Sequence, residues 1–156
     1  MVLRAVIAAA AVLAAPAALG GDPPRPGAGD KCPVCGMFVA KYPDWVGRAE
    51  LGDGTRLVFD GAKDLLKFVL DPGKWLPART RGDVKTITVT DYYALAPVDA
   101  RAAVYVLGSD VFGPMGRELV PFARRADAEE FLKDHRGTRI LTFDEITPDV
   151  VRALDG

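Results

Sequence analysis

Three sulfur-bearing residues fall within six positions of this chain: Cys32, Cys35 and Met37, in the stretch Asp30-Lys-Cys-Pro-Val-Cys-Gly-Met-Phe38. They are both of its cysteines and one of its three methionines. Thiolate and thioether are soft, polarisable donors that select Cu(I) over hard cations. Gly36 separates Cys35 from Met37, and a glycine there lets the backbone fold tightly enough for both side chains to face one point. Far downstream, Met115 lies in Phe112-Gly-Pro-Met-Gly116. A core methionine normally fills gaps on an apolar face, whereas Met115 sits between a proline and a glycine, in a turn with no periodic face. The two stretches are therefore expected to converge on one soft metal ion, Cu(I), with Cys35, Met37, Met115 and Cys32 as candidate ligands.

Other chemistry competes for the same residues. A Cys-x-x-Cys pair can serve a thiol–disulfide oxidoreductase, so redox exchange at Cys32 and Cys35 is the alternative function. That chemistry needs the first cysteine at a helix N-terminus, where the dipole lowers its pKa. Here Pro-Gly-Ala-Gly-Asp-Lys precedes it, and Gly36 and Pro43 discourage a long helix. A closed zinc site takes four Cys or His ligands, more than two cysteines and one histidine supply. That histidine, His135, falls in the last turn of a predicted helix, where it complements the dipole and faces solvent. Asp91, at a strand end, reads as the cap of the following turn, and Trp45 and Trp75 as core or inter-lobe residues. The carboxylates show no paired spacing for acid–base catalysis, so no enzyme activity is expected.

Composition narrows the setting. Of 156 residues, 49% are hydrophobic and 26% charged, as in ordinary folded proteins. Twenty basic against twenty-one acidic side chains leave a net charge of −1, with no basic excess for nucleic acid or an anionic membrane. Arg4 followed by an uncharged apolar run from Ala5 to Leu19, ending in Ala18-Leu19-Gly20, has the form of a cleaved signal peptide. The run is shorter than a comfortable membrane span. The chain is therefore expected to be periplasmic or otherwise exported, and soluble once the segment is cleaved. In an oxidising compartment two cysteines commonly pair, but the loop closed by Cys-x-x-Cys is too small for a useful staple. Chemistry is the better reason for the pair.

The elements that must position these residues follow from periodicity. Residues 21–30 are Pro- and Gly-rich and read as a flexible linker. Trp45 to Leu51 and Arg56 to Phe59 form a hairpin around Gly52-Asp53-Gly54. Asp60 caps a helix from about Gly61 to Leu70 with Leu65, Leu66, Phe68 and Val69 inward. Lys85 to Tyr92 is a strand. The second half repeats the plan, with strands at Ala102 to Leu107, Glu118 to Phe122 and Thr138 to Thr142. Its helix runs from Ala126 to Arg136, and a last helix has Thr147 as cap and Pro148 first. Pro121 cannot donate to a ladder and belongs at an edge or strand end. The expected fold class is α+β, with two ββαβ lobes in tandem sharing a core. The boundaries are 1–20 signal peptide, 21–30 linker, 31–98 first lobe with the Cys-x-x-Cys-Gly-Met motif, and 99–156 second lobe with the Gly-Pro-Met-Gly motif and C-terminal helix.

Taken in order, Cys35-Gly-Met37, Val89-Thr-Asp-Tyr92, Gly108-Ser-Asp110, Pro114-Met-Gly116, Val120-Pro-Phe122 and Phe143-Asp-Glu-Ile146 resemble the NosL family. The likeness runs from about Cys32 to Ile146. It implies an exported copper chaperone, not an enzyme, with two ββαβ lobes in an organomercurial-lyase-like topology. It also implies one Cu(I) per chain, delivered to nitrous oxide reductase, and a copper-donating membrane transporter upstream. Carried over residue by residue, the ligands it implies are Cys35, Met37 and Met115. Cys32 is an addition to the family pattern. Many members are lipoproteins, and this sequence lacks the lipid-bearing cysteine, so a soluble periplasmic form is expected. Fold kinship alone suggests a third activity, cleavage of a carbon–metal bond.

Overall fold

The computed structural model describes residues 23–155, and the signal-peptide reading of residues 1–20 lies outside them. The chain enters by a turn, Asp30 N–H donating to the Gly27 carbonyl at 3.1 Å. A first sheet then takes β1 (Gly47–Leu51), β2 (Arg56–Phe59), β3 (Val84–Thr90) and β4 (Pro97–Asp99) in the spatial order β2-β1-β3-β4, all antiparallel. Helix α1 (Ala62–Leu70) and the single-turn α2 (Pro72–Trp75) connect β2 to β3. The second half comprises β5 (Val104–Leu107), a two-residue-strand hairpin of β6 (Phe112–Gly113) and β7 (Gly116–Arg117), then β8 (Val120–Phe122), α3 (Arg125–Asp134) and β9 (Arg139–Thr142). Its sheet order is β8-β5-β9. In each half the first strand lies in the middle, flanked by its hairpin partner and by the strand that returns after the helix. The expected ββαβ plan is present twice, with β4 added to one copy and the β6–β7 hairpin inserted in the other. Helix α4 (Pro148–Arg152) closes the chain, its Thr147 Oγ1 accepting from Val150 N–H at 3.4 Å. Among the described residues no helix is long and apolar enough to cross a membrane.

Alternation on the strands explains how the halves meet. Side chains on successive strand residues face opposite sides. On β5, Tyr105 joins a large core with Phe59, Leu65, Phe68 and Val89 of the first half and with Leu119 and Leu141 of the second. Val106 faces the other way, into a smaller core with Val120, Phe122, Ala128 and Phe131 beneath α3. Both faces of β5 are buried, which is why Val-Tyr-Val-Leu reads as a continuous apolar run. The two halves are tied further by Tyr92 N–H donating to the Pro121 carbonyl at 3.0 Å and by Asp91, whose Oδ2 accepts from Ala123 N–H at 2.6 Å. The other Asp91 oxygen caps its own turn, accepting from Tyr93 and Ala94 N–H at 2.9 and 2.7 Å.

Three local readings are corrected. Trp45 is not in β1: Pro43 fixes φ and starts a 3₁₀ turn, Pro43–Trp45, that ends before the strand. The indole packs instead 5.7 Å from the Tyr92 ring, at the small core of the second half. Asp60 does not cap α1. The N-cap is Gly61, without a side-chain hydrogen bond; the acceptor comes from the other half, Glu118 Oε1 taking Lys63 N–H at 2.6 Å. A side chain on Gly61 would collide with that carboxylate, so the glycine admits a tertiary cap in place of a local one. Finally, His135 is half-buried rather than solvent-facing. Its ring stacks 4.3 Å from Phe131 and Nδ1 lies 3.1 Å from Asp110 Oδ1.

Phe131 is fully buried against Tyr92 and Phe122, with ring centroids 5.0 Å from each. Phe131→Ala is expected to destabilise the protein by about 3–5 kcal/mol, read as a lowered midpoint in urea unfolding.

Candidate metal centre

The sulfur stretch is a closed hairpin. Lys31 and Phe38 form an isolated antiparallel bridge, Cys32 N–H donates to the Met37 carbonyl at 2.9 Å, and Gly36 N–H donates to the Cys32 carbonyl at 2.9 Å. Gly36 takes φ +78°, the left-handed turn that brings the chain back. The Met37 carbonyl closes the loop by accepting from Cys32 N–H. The Met37 side chain is half-buried and is not among the residues that line the cleft described next.

Cys32 is 1% exposed and belongs to the large core, while Cys35 is partly exposed at the floor of an open cleft of about 610 Å³. Helix α1 brings two carboxylates against them. Asp64, 3% exposed in the first turn, accepts from the Cys32 thiol at 3.5 Å. Asp60, just before the helix, accepts from the Cys35 thiol at 3.3 and 3.4 Å. One donor atom from each of Cys32, Cys35, Asp60 and Asp64 lies within 4.8 Å of all the others, a set able to hold a metal ion. Met115 also lines the cleft, at the tip of the β6–β7 hairpin and 42% exposed. Trp75, Lys63, Lys67 and Asp155 line the remainder.

Of the four residues expected as ligands, Cys32 and Cys35 lie together, and Met115 lines the same cleft as Cys35. The fold adds Asp60 and Asp64, which the sequence reading missed. The signal was their i, i+4 spacing at a helix start, but acidic residues there are accounted for by capping and the helix dipole, so the spacing points to no metal. His135 is outside the cluster.

Both thiols are free and their acidity is suppressed. Burial is the first cause for each. It pushes Cys32 up to about 12, against the amides that lower it and with Asp64 and Asp60 adding to the rise. Cys35 is raised as well, by burial first and then by Asp64 and the neighbouring Cys32, opposed by the Met37 amide. A carboxylate beside a thiol disfavours a second negative charge. A cation of soft character reverses this, since it favours both thiolates and neutralises the carboxylates. Further along the wall, Lys67 Nζ lies 3.5 Å from Asp64 and 2.6 Å from Asp155. Glu118, enclosed by protein, is pushed up to about 8 by burial, the Leu119 and Lys63 amides acting in the opposite sense.

Against this geometry, the NosL family matches residues 23–151. The chain belongs to the NosL family. A curated relative, the copper-binding lipoprotein NosL of Stutzerimonas stutzeri, is 31% identical over 125 residues, covering 75% of this chain and 62% of the relative's length. The chain thus spans less than two thirds of that relative. A solved structure, the copper chaperone NosL from Shewanella denitrificans, superposes with a TM-score of 0.67 at 29% identity, covering 81% of this chain and 99% of that one. The mixed α/β fold with antiparallel sheets is therefore that of a NosL protein.

The suppressed thiols set a pH window. A folded pKa raised above the free value of about 8.5 stabilises the native state fully below that value, and the contribution is lost as pH rises toward 12. Metal-free protein is therefore expected to lose stability progressively above about pH 9, and Cys32 to alkylate slowly at neutral pH. Iodoacetamide labelling followed by mass spectrometry, with thermal melts across pH 7–11, measures both; labelling as fast as a free thiol at pH 7 would contradict them.

Proposed function

We propose that this NosL-family chain is an exported Cu(I) chaperone, holding one ion at Cys32, Cys35 and Met115 and passing it to a periplasmic cupro-enzyme, nitrous oxide reductase. The carrying observation is that the two cysteine sulfurs lie together, Cys32 enclosed and Cys35 lining an open cleft that Met115 also lines. Soft donors of two kinds favour the monovalent, softer ion. The names of the relatives, a copper-binding lipoprotein and a copper chaperone, support copper as cargo. Asp60 and Asp64 accept the thiol hydrogen bonds of the empty site. In this reading Met37 shapes the loop through its main chain and reaches the metal only after side-chain rearrangement.

Transfer suits this placement. Cys32 is the enclosed donor, and Cys35 and Met115 are the donors on the side from which a recipient's ligands can enter. Ligand exchange then proceeds from the exposed side while Cys32 retains the ion. Residues 1–20 serve as a cleaved signal segment and 21–30 as a spacer, with residues 31–98 and 99–156 as the two lobes. A membrane transporter supplies copper and the periplasm is the site of action. The alternative, thiol–disulfide exchange at Cys32 and Cys35, requires a thiol poised below the free value, the reverse of the burial-raised pair here.

Anaerobic titration with Cu(I) against a competing chelator tests the reading. One sub-micromolar site is expected, weakened by at least about 10–100-fold in Cys35→Ser, since ligand loss costs no less than loss of a supporting partner. A smaller weakening is expected in Met115→Leu. Affinity unchanged by both substitutions sinks the proposal. Copper-loaded protein mixed with metal-free nitrous oxide reductase is expected to restore that enzyme's copper absorption bands; apo protein is not.

A further inference from the structure

We propose that Lys63 is a positioning residue for the copper site, holding the Met115 hairpin so that its thioether stands over the cysteines. The proposal rests on the copper reading of that site. Lys63 is only 2% exposed although it carries an ammonium. Nζ donates to the Met115 carbonyl at 2.9 Å and lies 3.3 Å from Asp155 Oδ1. Its main-chain amide donates to Glu118 Oε1 at 2.6 Å. Glu118 follows β7 directly, so one residue of α1 grips the hairpin twice: at the tip through the side chain and at the exit through the backbone. The next residue, Asp64, accepts from the Cys32 thiol. Two adjacent positions in the first turn of α1 therefore address the two halves of the site, Asp64 the cysteine and Lys63 the methionine.

Charge economy supports a positional role. Burying an ammonium is costly, and an apolar residue of similar volume is commonly as stable or more so in such a place. Asp155 does not need Lys63, because Lys67 Nζ lies closer to it, at 2.6 Å. Among the described residues, only Lys63 donates to the Met115 carbonyl. The long apolar stem with a terminal donor suits it to span from the helix to the hairpin tip through protein rather than water. The hairpin's own strands are two residues long, an isolated pair of strands is marginal in water, and beyond Lys63 it leans on the C-terminal turn Ala153–Asp155, which packs against β7.

The test compares Lys63→Leu, Lys63→Arg, Met115→Leu and the Lys63→Leu/Met115→Leu pair, with Lys63→Gln replacing Lys63→Leu if that variant does not unfold cooperatively. Readouts are Cu(I) affinity by chelator competition and the number of sulfur neighbours by copper X-ray absorption. Lys63→Leu is expected to weaken Cu(I) by about 10–100-fold, the usual cost of losing an outer partner of a ligand. It should lose the same sulfur neighbour as Met115→Leu and add nothing to it in the pair. Lys63→Arg, which keeps a donor, should recover most of the affinity. If Met115→Leu weakens binding and Lys63→Leu does not, the positioning role is overturned and the copper reading stands. If the two losses multiply in the pair, Lys63 acts elsewhere and the proposal fails. If neither substitution matters while Cys35→Ser does, Met115 is no ligand and both claims about the hairpin fall.

Discussion

The structure depends on the burial of charge at the start of α1. Asp60, Lys63, Asp64 and the facing Glu118 are all enclosed, and an unpaired ionic group in such a place is strongly unfavourable. Each is satisfied by something distant in sequence. Asp60 and Asp64 receive the two thiols, Lys63 reaches the Met115 carbonyl, and Glu118 receives two main-chain amides. The sulfur hairpin, the helix and the methionine hairpin are fixed relative to one another through these contacts, with Lys67 beside Asp64 and Asp155 beside Lys63 adding to them. Breaking one leaves a buried polar group exposed to nothing, which costs more than the bond itself contributes.

The two halves exchange hydrogen bonds from main-chain amide to buried carboxylate. The N-terminus of α1 in the first half is capped by Glu118 of the second, and Ala123, before α3 in the second half, donates to Asp91 of the first. Packing repeats the pattern, with Tyr105, Leu119 and Leu141 in the large core and Trp45 at the small one. An internal repeat of strand, strand, helix, strand has thus become one body whose cleft lies where the halves meet. A site built from both halves is held by the same contacts that hold the fold.

Chemically the cleft grades from hard to soft donors and from enclosed to open. Carboxylates and the Cys32 sulfur lie inside; the Met115 thioether lies at the surface. An ion arriving from solvent meets the neutral donor before the charged ones. Without metal, burial and neighbouring carboxylates keep the thiols protonated, so the empty site is not a cluster of like charges. A soft cation held by the two sulfurs would displace the thiol protons, and with them the hydrogen bonds to Asp60 and Asp64.

Local sequence determined the secondary elements with strong periodicity: the β1–β2 hairpin around Gly52-Asp53-Gly54, the apolar side of α1, the β5 run and the Thr147-Pro148 start of α4. It also marked the three sulfurs, because residue type carries donor softness whatever the fold. The short pieces, β4 and the β6–β7 hairpin, were not legible, since two or three residues hold no period. Tertiary structure alone decided the rest. Asp60 became a sulfur partner rather than a cap only because Glu118 arrived from the other half and Gly61 left room for it. Lys63, unremarkable on a helix surface, became an internal donor only once the Met115 hairpin covered it. Spacing along the chain reports which groups are available; which of them lose water, and must then find each other, is set by packing across the two halves.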